Sequence, residues 1–303
     1  MKIISLFSGA GGLDFGLKQA GHNIVWANDI DPDSCKTYQK NIGLHIYCAD
    51  ITKVNEKDIP KSDIVVGGFP CQGFSLANRQ RNVNDSRNIL YKEFLRIVKA
   101  KMPKYFIAEN VRGILSLGEG AVIKNIISDF SSLGYNVQYK IINFANYGVP
   151  QTRIRVIIVG SKKSLPRYRQ FIFPKETHSK DNWISINEAL KDIPEPDSNN
   201  NLLNHLYSKY KVTNRNFTGH RLTDPNKPSP TILARGDGKG GVCAIQHPKN
   251  HRRMSIRESA IIQTFPIDYE FFGTMNSMYR QVGNAVPVHF AYLLGLSLKE
   301  LDK

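Results

Sequence analysis

Short apolar runs alternate with helical periodicity over the first half of the chain. The run from Lys2 to Phe7 predicts a buried strand, and the apolar spacing from Leu13 to Ala20 predicts a helix that Gly21 ends. Further strands are predicted at 23–28, 63–68, 105–109, 137–143 and 155–159. Further helices are predicted from Pro32 onward, at 89–100 and at 122–133. Because strands alternate with helices, we expect an α/β fold with a largely parallel sheet.

The pattern changes after Gly160. Residues 174–252 are rich in Pro, Asn, Ser, Lys and Gly, and they show little regular periodicity. This stretch also contains Trp183, Phe217 and Ile232, which favour a small separate domain over a disordered linker. Helical periodicity returns at 256–263 and at 288–299.

Charge is the first indication of a partner. The chain carries 41 Lys and Arg against 26 Asp and Glu, a net charge of +15. The segment from Ser161 to Ser255 contains 17 of the basic and 8 of the acidic residues, so less than a third of the chain holds more than half of the excess. This distribution predicts contact with a polyanion through its phosphates.

Several classes of protein are disfavoured by the sequence. No window approaches the roughly 20 apolar residues of a membrane span, and the first apolar run is too short for a signal peptide, so we expect a soluble, cytoplasmic protein. The four cysteines form no CxxC pair and no zinc-like spacing with histidine, which predicts neither a disulfide framework nor a metal site. Cys35, Cys48 and Cys243 are predicted to be small buried hydrophobic residues.

A glycine-rich turn follows the first predicted strand. The segment Phe7-Ser8-Gly9-Ala10-Gly11-Gly12 lets a ligand approach the backbone at a helix N-terminus. Asp29 and Asp50 come at the ends of the next two strands, where acidic residues accept hydrogen bonds from a ribose in nucleotide-binding sheets. These features predict a nucleoside-containing cofactor, and by themselves they do not separate NAD from S-adenosylmethionine.

The segment from Gly67 to Ser75 contains the candidate nucleophile, Cys71. A cysteine at a Gly- and Pro-rich strand end is exposed to ligand, and a nucleophilic thiolate needs such an electropositive, partly exposed setting. The following segment, 78–87, supplies Arg79, Arg81 and Arg87 and reads as a mobile basic loop.

A carboxylate and two guanidinium groups complete the candidate chemistry. Glu109 ends an apolar strand, where partial desolvation would let its carboxyl group hold a proton and act as an acid or hydrogen-bond donor. Strand alternation predicts Arg153 and Arg155 on one face of a single strand through Gln151–Arg155.

Taken in order, these motifs resemble the carbon-5 cytosine DNA methyltransferase family along nearly the whole chain. Pro70-Cys71-Gln72 resembles the nucleophile motif, and Asn88 departs from the next motif, where glycine is common. The other matching segments are Phe7–Gly12, Asp29–Asp31, Asp50–Ile51, Ser86–Leu90, Glu109–Val111, Gln151–Arg155, Arg257–Ala260, Gln263–Pro266 and Gln281–Pro287. The resemblance implies a Rossmann-like, S-adenosylmethionine-dependent fold.

The resemblance also implies roles for individual residues. Cys71 would add to carbon 6 of a flipped cytosine, Glu109 would hold the ring N3 and amino group, and Arg155 with Arg153 would steady the base oxygen and the Cys71 loop. The basic loop at 75–88 would act as a lid. The implied cofactor-binding residues are Phe7, Gly9, Gly11, Asp29, Ile30, Asp50, Ile51, Pro70, Leu90, Asn284 and Val286.

We expect four segments: a catalytic and cofactor-binding domain at 1–180, a target-recognition domain at 181–255, a hinge at 256–283 and a completing C-terminal helix at 284–303. Arginine and lysine make the commonest specific contacts with guanine. The candidate DNA-binding residues are Arg79, Arg81, Arg87, Arg215, Arg221, Arg235, Lys239 and Arg252. The stretch Thr231–Gly236 is the preferred DNA-facing segment.

The resemblance implies double-stranded DNA as partner, and we expect a monomer. The compact length suggests a methylase that is solitary or paired with a restriction endonuclease. Three other interpretations remain at this point. A tRNA cytosine methyltransferase would have similar catalytic motifs. A non-catalytic DNA-binding paralogue would be expected to lack Cys71 or Glu109. An NAD oxidoreductase would explain only the glycine turn.

Overall fold

The computed structural model of the protein describes residues 1–69, 89–209, 222–234, 245–249 and 251–302. Within them the strands are β1 (Lys2–Leu6), β2 (Asn23–Asp29), β3 (Ile46–Cys48), β4 (Ile64–Gly67), β5 (Tyr105–Val111), β6 (Tyr135–Asn143), β7 (Gln151–Thr152), β8 (Ile154–Lys162) and β9 (Ser229–Pro230). The α-helices are α1 (Gly12–Gln19), α2 (Pro32–Asn41), α3 (Ile89–Lys101), α4 (Ala121–Ser132), α5 (Ile186–Leu190), α6 (Ile256–Ile262), α7 (Met275–Asn284) and α8 (Val288–Glu300).

Seven strands form the main sheet, in the order β3-β2-β1-β4-β5-β8-β6. The pairs among β3, β2, β1, β4 and β5 are parallel, whereas β8 is antiparallel to both β5 and β6. The predicted α/β fold is therefore confirmed, with an antiparallel pair at one edge. The carboxyl ends of β1, β2, β4 and β5 lie at the same edge of the sheet.

Both faces of the central strands β1, β4, β5 and β8 are largely buried, which explains why they are continuous apolar runs. The edge strands β3 and β6 are partly exposed. Ile3 and Ile107 belong to a core with α1, α2 and α8, whereas Ile4 and Phe106 face a second core with α3 and α4. In the second core the Phe106 and Phe130 rings lie 4.1 Å apart, centroid to centroid. Alternate residues of each strand thus anchor helices on opposite faces.

A third core joins the region after β8 to the last helices. It contains residues of α5, α6 and α7 and the neighbouring loops, including Ile232, Ile245 and Met254. The helix α6 begins with a reciprocal capping box between Ser255 and Glu258. Sequence periodicity predicted α6 and α8 but missed α5 and α7, because the first is a single short turn and the second contains many polar residues.

Candidate active site

A cavity of about 820 Å³ opens at the carboxyl edge of the parallel strands. Leu6, Asp29, Gly67 and Glu109, which lie at or near the ends of four strands, all contribute to its wall. The opposite wall comes from residues 232–234 and 280–286. Ligands of open parallel sheets bind at this edge, so the fold itself places the candidate site here.

The turn after β1 is held in place by backbone and carboxylate contacts. The Ser8 amide donates to the Asn28 carbonyl at 2.9 Å, and the Gly9 amide donates to Asp29 Oδ2 at 2.7 Å. Gly9 has φ +55°, and a Cβ built on it would meet no atom within 4 Å. The missing side chain therefore leaves free space at the cavity wall.

Gly11 has a different role from the one predicted for it. It does not line the cavity but precedes α1 as its N-cap with φ 86°. A Cβ at this position would lie 2.2 Å from Ile42 Cδ1. Gly11 is therefore required by the turn and by packing against the end of α2, and direct contact with a cofactor is not supported.

Asp29 ends β2 with its carboxylate beside the glycine turn. Besides Gly9, the Asp31 amide donates to Asp29 Oδ1 at 2.9 Å. Burial raises the pKa of Asp29, and the backbone donors oppose that rise. Asp31 caps α2 and pairs with Arg280 at 3.2 Å. A carboxylate of this kind has lone pairs left to accept hydrogen bonds from ribose hydroxyl groups.

The remaining described cofactor candidates all line the same cavity, namely Phe7, Ile30, Asp50, Ile51, Leu90, Asn284 and Val286. Asp50 begins a 3₁₀ turn and accepts hydrogen bonds from the Thr52 amide and hydroxyl, which lower the pKa of its carboxyl group. Ile30 is 66% exposed, although isoleucine is normally buried. An exposed apolar residue at the cavity mouth suits stacking against a ligand ring.

Glu109 and Arg155 face each other across neighbouring strands. Val111 of β5 pairs with Arg155 of β8 in the antiparallel register, and Arg155 Nε lies 2.8 Å from Glu109 Oε1. No described residue donates an aligned hydrogen bond to this buried oxygen. A Cβ on Gly68 would lie 3.2 Å from Glu109 Oε2, so glycine there leaves room for the carboxylate.

Arg153 lies in a break between two strands, which corrects the prediction of one continuous strand. The Arg153 amide donates back to the Gln151 carbonyl, so β7 ends at Thr152 and β8 begins at Ile154. Arg153 is 2% exposed, and its Nη1 donates to the Ile232 carbonyl at 3.0 Å. Burial, and then the nearby Arg155 charge, lower the pKa of Arg153. Its Nε has no partner among the described residues.

The family model described as C-5 cytosine-specific DNA methylase matches residues 1–300. The chain belongs to this family. It is 41% identical over 94% of its length to the type II methyltransferase M.NgoFVII of Neisseria gonorrhoeae, of which the alignment covers 83%. It is 37% identical over 99% of its length to M.FnuDI of Fusobacterium nucleatum, of which the alignment covers 94%.

Solved structures support the fold. The chain superposes on the Dnmt2 methyltransferase of Schizosaccharomyces pombe with a TM-score of 0.73 and 21% identity, covering all of both chains. It superposes on the methyltransferase EhMeth of Entamoeba histolytica with a TM-score of 0.75 and 19% identity, covering 100% and 99% of the two chains. At this identity the likeness concerns the Rossmann-like methyltransferase fold alone.

The methylase is thus an S-adenosyl-L-methionine-dependent enzyme that methylates carbon 5 of cytosine in DNA. Its cavity fits this methyl donor. The free space at Gly9 and the Asp29 carboxylate lie side by side, and Asp50 and Ile30 add polar and apolar surface. Glu109 lies in the wall of the same cavity.

The nucleophile motif, Pro70-Cys71-Gln72, lies outside the described residues, as do Arg79, Arg81 and Arg87. The entrance to this segment is nevertheless fixed, because Asn110 Nδ2 donates to the Phe69 carbonyl at 3.3 Å and Asn110 is buried. Asn110 thus ties the end of β5 to the start of the nucleophile segment.

Of the residues predicted to contact DNA in the region after β8, only Arg252 lies within the described residues. Arg215, Arg221, Arg235 and Lys239 lie outside the described residues. The prediction for Arg252 is corrected, because its side chain is 6% exposed and its guanidinium group binds carboxylates of the protein. It binds Glu258 through two nitrogens at 2.7 and 2.8 Å, and its Nε donates to Glu195 at 2.8 Å. Arg252 stabilises the third core.

A hydrogen bond between two buried glutamine side chains near the cavity was not predicted from the sequence. Gln151 and Gln263 are fully buried and hydrogen-bonded side chain to side chain at 2.8 Å. Gln151 Oε1 accepts from the Ile232 amide, and Gln263 Nε2 donates to the Val282 carbonyl at 2.8 Å. The pair therefore joins residues 232–234 to α7, two of the segments that line the cavity. Both residues lay within recognised motifs, but nothing in their spacing indicated that they touch.

Cys48 corrects a further prediction, since it is exposed rather than buried, whereas Cys35 is buried as predicted. Among the described residues, no group of three or more His, Cys, Asp or Glu side chains could hold a metal ion. Within the same residues, no helix has the length and apolar character to cross a membrane.

Proposed function

We propose that the methylase binds a cytosine flipped out of duplex DNA in the described cavity and attacks its carbon 6 with Cys71. The observation that carries this proposal is a pair of buried polar atoms, Glu109 Oε1 and Arg153 Nε. Arg153 Nε has no hydrogen-bond partner among the described residues, and the ion pair with Arg155 leaves Glu109 Oε1 without an aligned donor. Both residues line the cavity. Buried polar atoms normally have partners, so this wall is complementary to a polar ligand.

The chain's own groups provide most of the chemistry. Addition of the Cys71 thiolate to carbon 6 makes carbon 5 nucleophilic. Glu109 holds the ring N3 and the exocyclic amine, while Arg155 and Arg153 stabilise the charge that develops at the base oxygen. S-adenosyl-L-methionine supplies the methyl group. The proton on carbon 5 then leaves to water, and the cysteine is expelled.

The proposed domain division follows the sequence. Residues 1–180 form the catalytic domain, 181–255 the target-recognition domain, 256–283 the hinge and 284–303 the completing helix. We assign the lid to 75–88 and the main DNA-facing segment to Thr231–Gly236. Supporting this, residues 232–234 line the cavity, and the Ile232 amide and carbonyl bind Gln151 and Arg153. The segment that we assign to target recognition would therefore contact Arg153 directly, through the Ile232 carbonyl.

A restriction-modification role is proposed from the relatives, which are named type II methyltransferases. The methylase would act in the cytoplasm, as a monomer on the chromosome, and protect one DNA sequence from a cognate endonuclease. The partnership need not involve physical contact between the two enzymes.

Bisulfite sequencing of duplex DNA methylated by the purified protein tests this proposal. We expect 5-methylcytosine at one position of one short sequence. A parallel reaction with tRNA is the decisive alternative, since methyl transfer to tRNA alone would replace DNA as the substrate.

Replacing the nucleophile tests the covalent step. Cys71→Ser should abolish turnover while duplex DNA and S-adenosyl-L-methionine still bind, because the hydroxyl group does not form the carbon 6 adduct. Cys48→Ser is the matched control and should keep normal turnover. Near-normal turnover by Cys71→Ser would contradict the covalent scheme.

A further inference from the structure

Two cysteines outside the catalytic motif approach Asp29 from different elements. Cys48 is the last residue of β3 and the register partner of Asp29. Cys35 lies in α2, and its Sγ is 3.6 Å from the Asp29 carbonyl oxygen. Ile46 of β3 packs in one core with Cys35, and strand alternation places the Cys48 side chain on the same face of the sheet as Ile46, the face that α2 covers. Both cysteines are free. Cys35 contacts Asp29, the residue assigned to the cofactor ribose, through its thiol, and Cys48 lies beside Asp29 through strand pairing.

The two thiols have different access to solvent. Cys48 is exposed, whereas Cys35 is 3% exposed. Burial, then the adjoining Cys48 and the carboxylates of Asp29 and Asp31, raise the pKa of the Cys35 thiol. An oxidant in solution therefore reaches Cys48 first. Cys35 reacts second and more slowly, because burial disfavours its thiolate.

We propose that Cys35 and Cys48 form an oxidisable dithiol site, which a low-molecular-weight disulfide converts into a Cys35–Cys48 disulfide that weakens binding of S-adenosyl-L-methionine. The Cys48 thiolate attacks the oxidant, forms a mixed disulfide and releases one small thiolate. The Cys35 sulfur then attacks Cys48 and displaces the second small thiolate. Two protein thiols lose two protons and two electrons, and the oxidant becomes two thiols.

The disulfide would act on Asp29 through geometry. A disulfide fixes the separation and orientation of its two Cβ atoms, so α2 and β3 would be locked together at the end of β2. Cys35 Sγ would also stop donating to the Asp29 carbonyl. Because Asp29 positions the Gly9 amide at 2.7 Å, the change reaches the glycine turn. This consequence rests on the proposed cofactor role of Asp29.

The test treats the full-length protein with oxidised glutathione. Peptide mapping by mass spectrometry without reduction should find the peptides of Cys35 and Cys48 joined and two hydrogen atoms lighter. Calorimetric titration should show S-adenosyl-L-methionine affinity reduced by at least about fivefold, the lower end of usual couplings between sites. Dithiothreitol should restore both properties. Cys48→Ser should bind the donor normally with or without oxidant.

The peptide map and the titration can each contradict a different part of the proposal. Absence of the joined peptides, or joining of Cys35 to a different cysteine, overturns the dithiol site. Formation of the Cys35–Cys48 disulfide with unchanged affinity overturns the coupling to Asp29. If the reduced protein failed to bind S-adenosyl-L-methionine, the proposed cofactor site would be wrong, while the peptide map would still decide the thiol chemistry.

Discussion

The two sides of the cavity differ in how far their buried polar groups are hydrogen-bonded within the protein. On the donor side, formed by β1, β2 and the loops after them, Asp29 receives backbone hydrogen bonds from Gly9 and Asp31. On the base side, formed by β5 and the start of β8, Glu109 Oε1 and Arg153 Nε are buried without aligned partners. The Asp29 carboxylate is thus held by hydrogen bonds within the protein, whereas Arg153 Nε on the base side has no partner among the described residues. Substitutions on the two sides should therefore fail differently.

The largest effect is expected on the base side. Glu109→Gln removes the negative charge beside Arg155 and the group assigned to N3, so kcat should fall by about 10²- to 10³-fold. The affinity for S-adenosyl-L-methionine should be unchanged, because Glu109 is placed against the base. Single-turnover methylation and calorimetric titration measure the two quantities. Glu119→Gln, which is outside the cavity, is the control, and a kcat within threefold of the wild type would remove Glu109 from catalysis.

The next largest effect is expected on the pH dependence of the unfolding free energy, through Asp14 of α1. Asp14 is buried, accepts hydrogen bonds from Ser5 and Tyr38, and has its pKa raised to about 6, mainly by burial. Because the unfolded value is 3.8, the unfolded chain loses this proton first as pH rises. The contribution of Asp14 to stability is therefore complete below pH 3.8 and is lost as pH rises through about 6.

Urea unfolding should detect this loss. Between pH 4 and 7, the unfolding free energy of the wild type should fall by about 3 kcal/mol relative to that of Asp14→Asn. The exposed variant Asp181→Asn should follow the wild-type curve. Parallel curves for wild type and Asp14→Asn would show that Asp14 does not titrate in this range.

A smaller effect is expected at the ribose position. Asp29→Asn keeps the shape of the side chain but removes its charge, and S-adenosyl-L-methionine affinity should fall about tenfold, the equivalent of one charge-assisted hydrogen bond. At saturating donor, kcat should stay close to normal, unlike the result for Glu109→Gln. Asp33→Asn, in the first turn of α2 and outside the cavity, should bind normally. An equal loss of S-adenosyl-L-methionine affinity in Asp29→Asn and Asp33→Asn would indicate a disturbed α2 and not the loss of a ligand contact.

The smallest effect is expected from replacing glycines that have positive φ. A matched pair of variants distinguishes loss of space in the cavity from backbone strain. Gly9→Ala and Gly21→Ala both place a side chain at positive φ, +55° and +94°. Each should reduce the unfolding free energy by about 1 kcal/mol. Only Gly9→Ala should weaken S-adenosyl-L-methionine binding, since its methyl group enters the cavity. Equal affinities in thermal-shift titrations would mean that the donor does not approach Gly9.

The sequence predicted the parallel strands and the glycine turn well, because apolar runs and turn residues are local signals. It placed Glu109 at a strand end for the same reason. It could not show that β8 returns antiparallel beside β5, which brings Arg155 to Glu109. It also treated Arg252 as a free cation, since the carboxylates that bury it, Glu195 and Glu258, are separated from each other by more than sixty positions.

The glycine turn also has a consequence for biosynthesis. A Cβ on Gly12 would lie 2.5 Å from the Val286 carbonyl, and one on Gly16 would lie 2.3 Å from the Val288 carbonyl. The first helix therefore packs against residues translated more than 270 positions later. A nascent chain that has not yet reached Val288 lacks this wall, so we expect it to bind S-adenosyl-L-methionine only once those residues have been added.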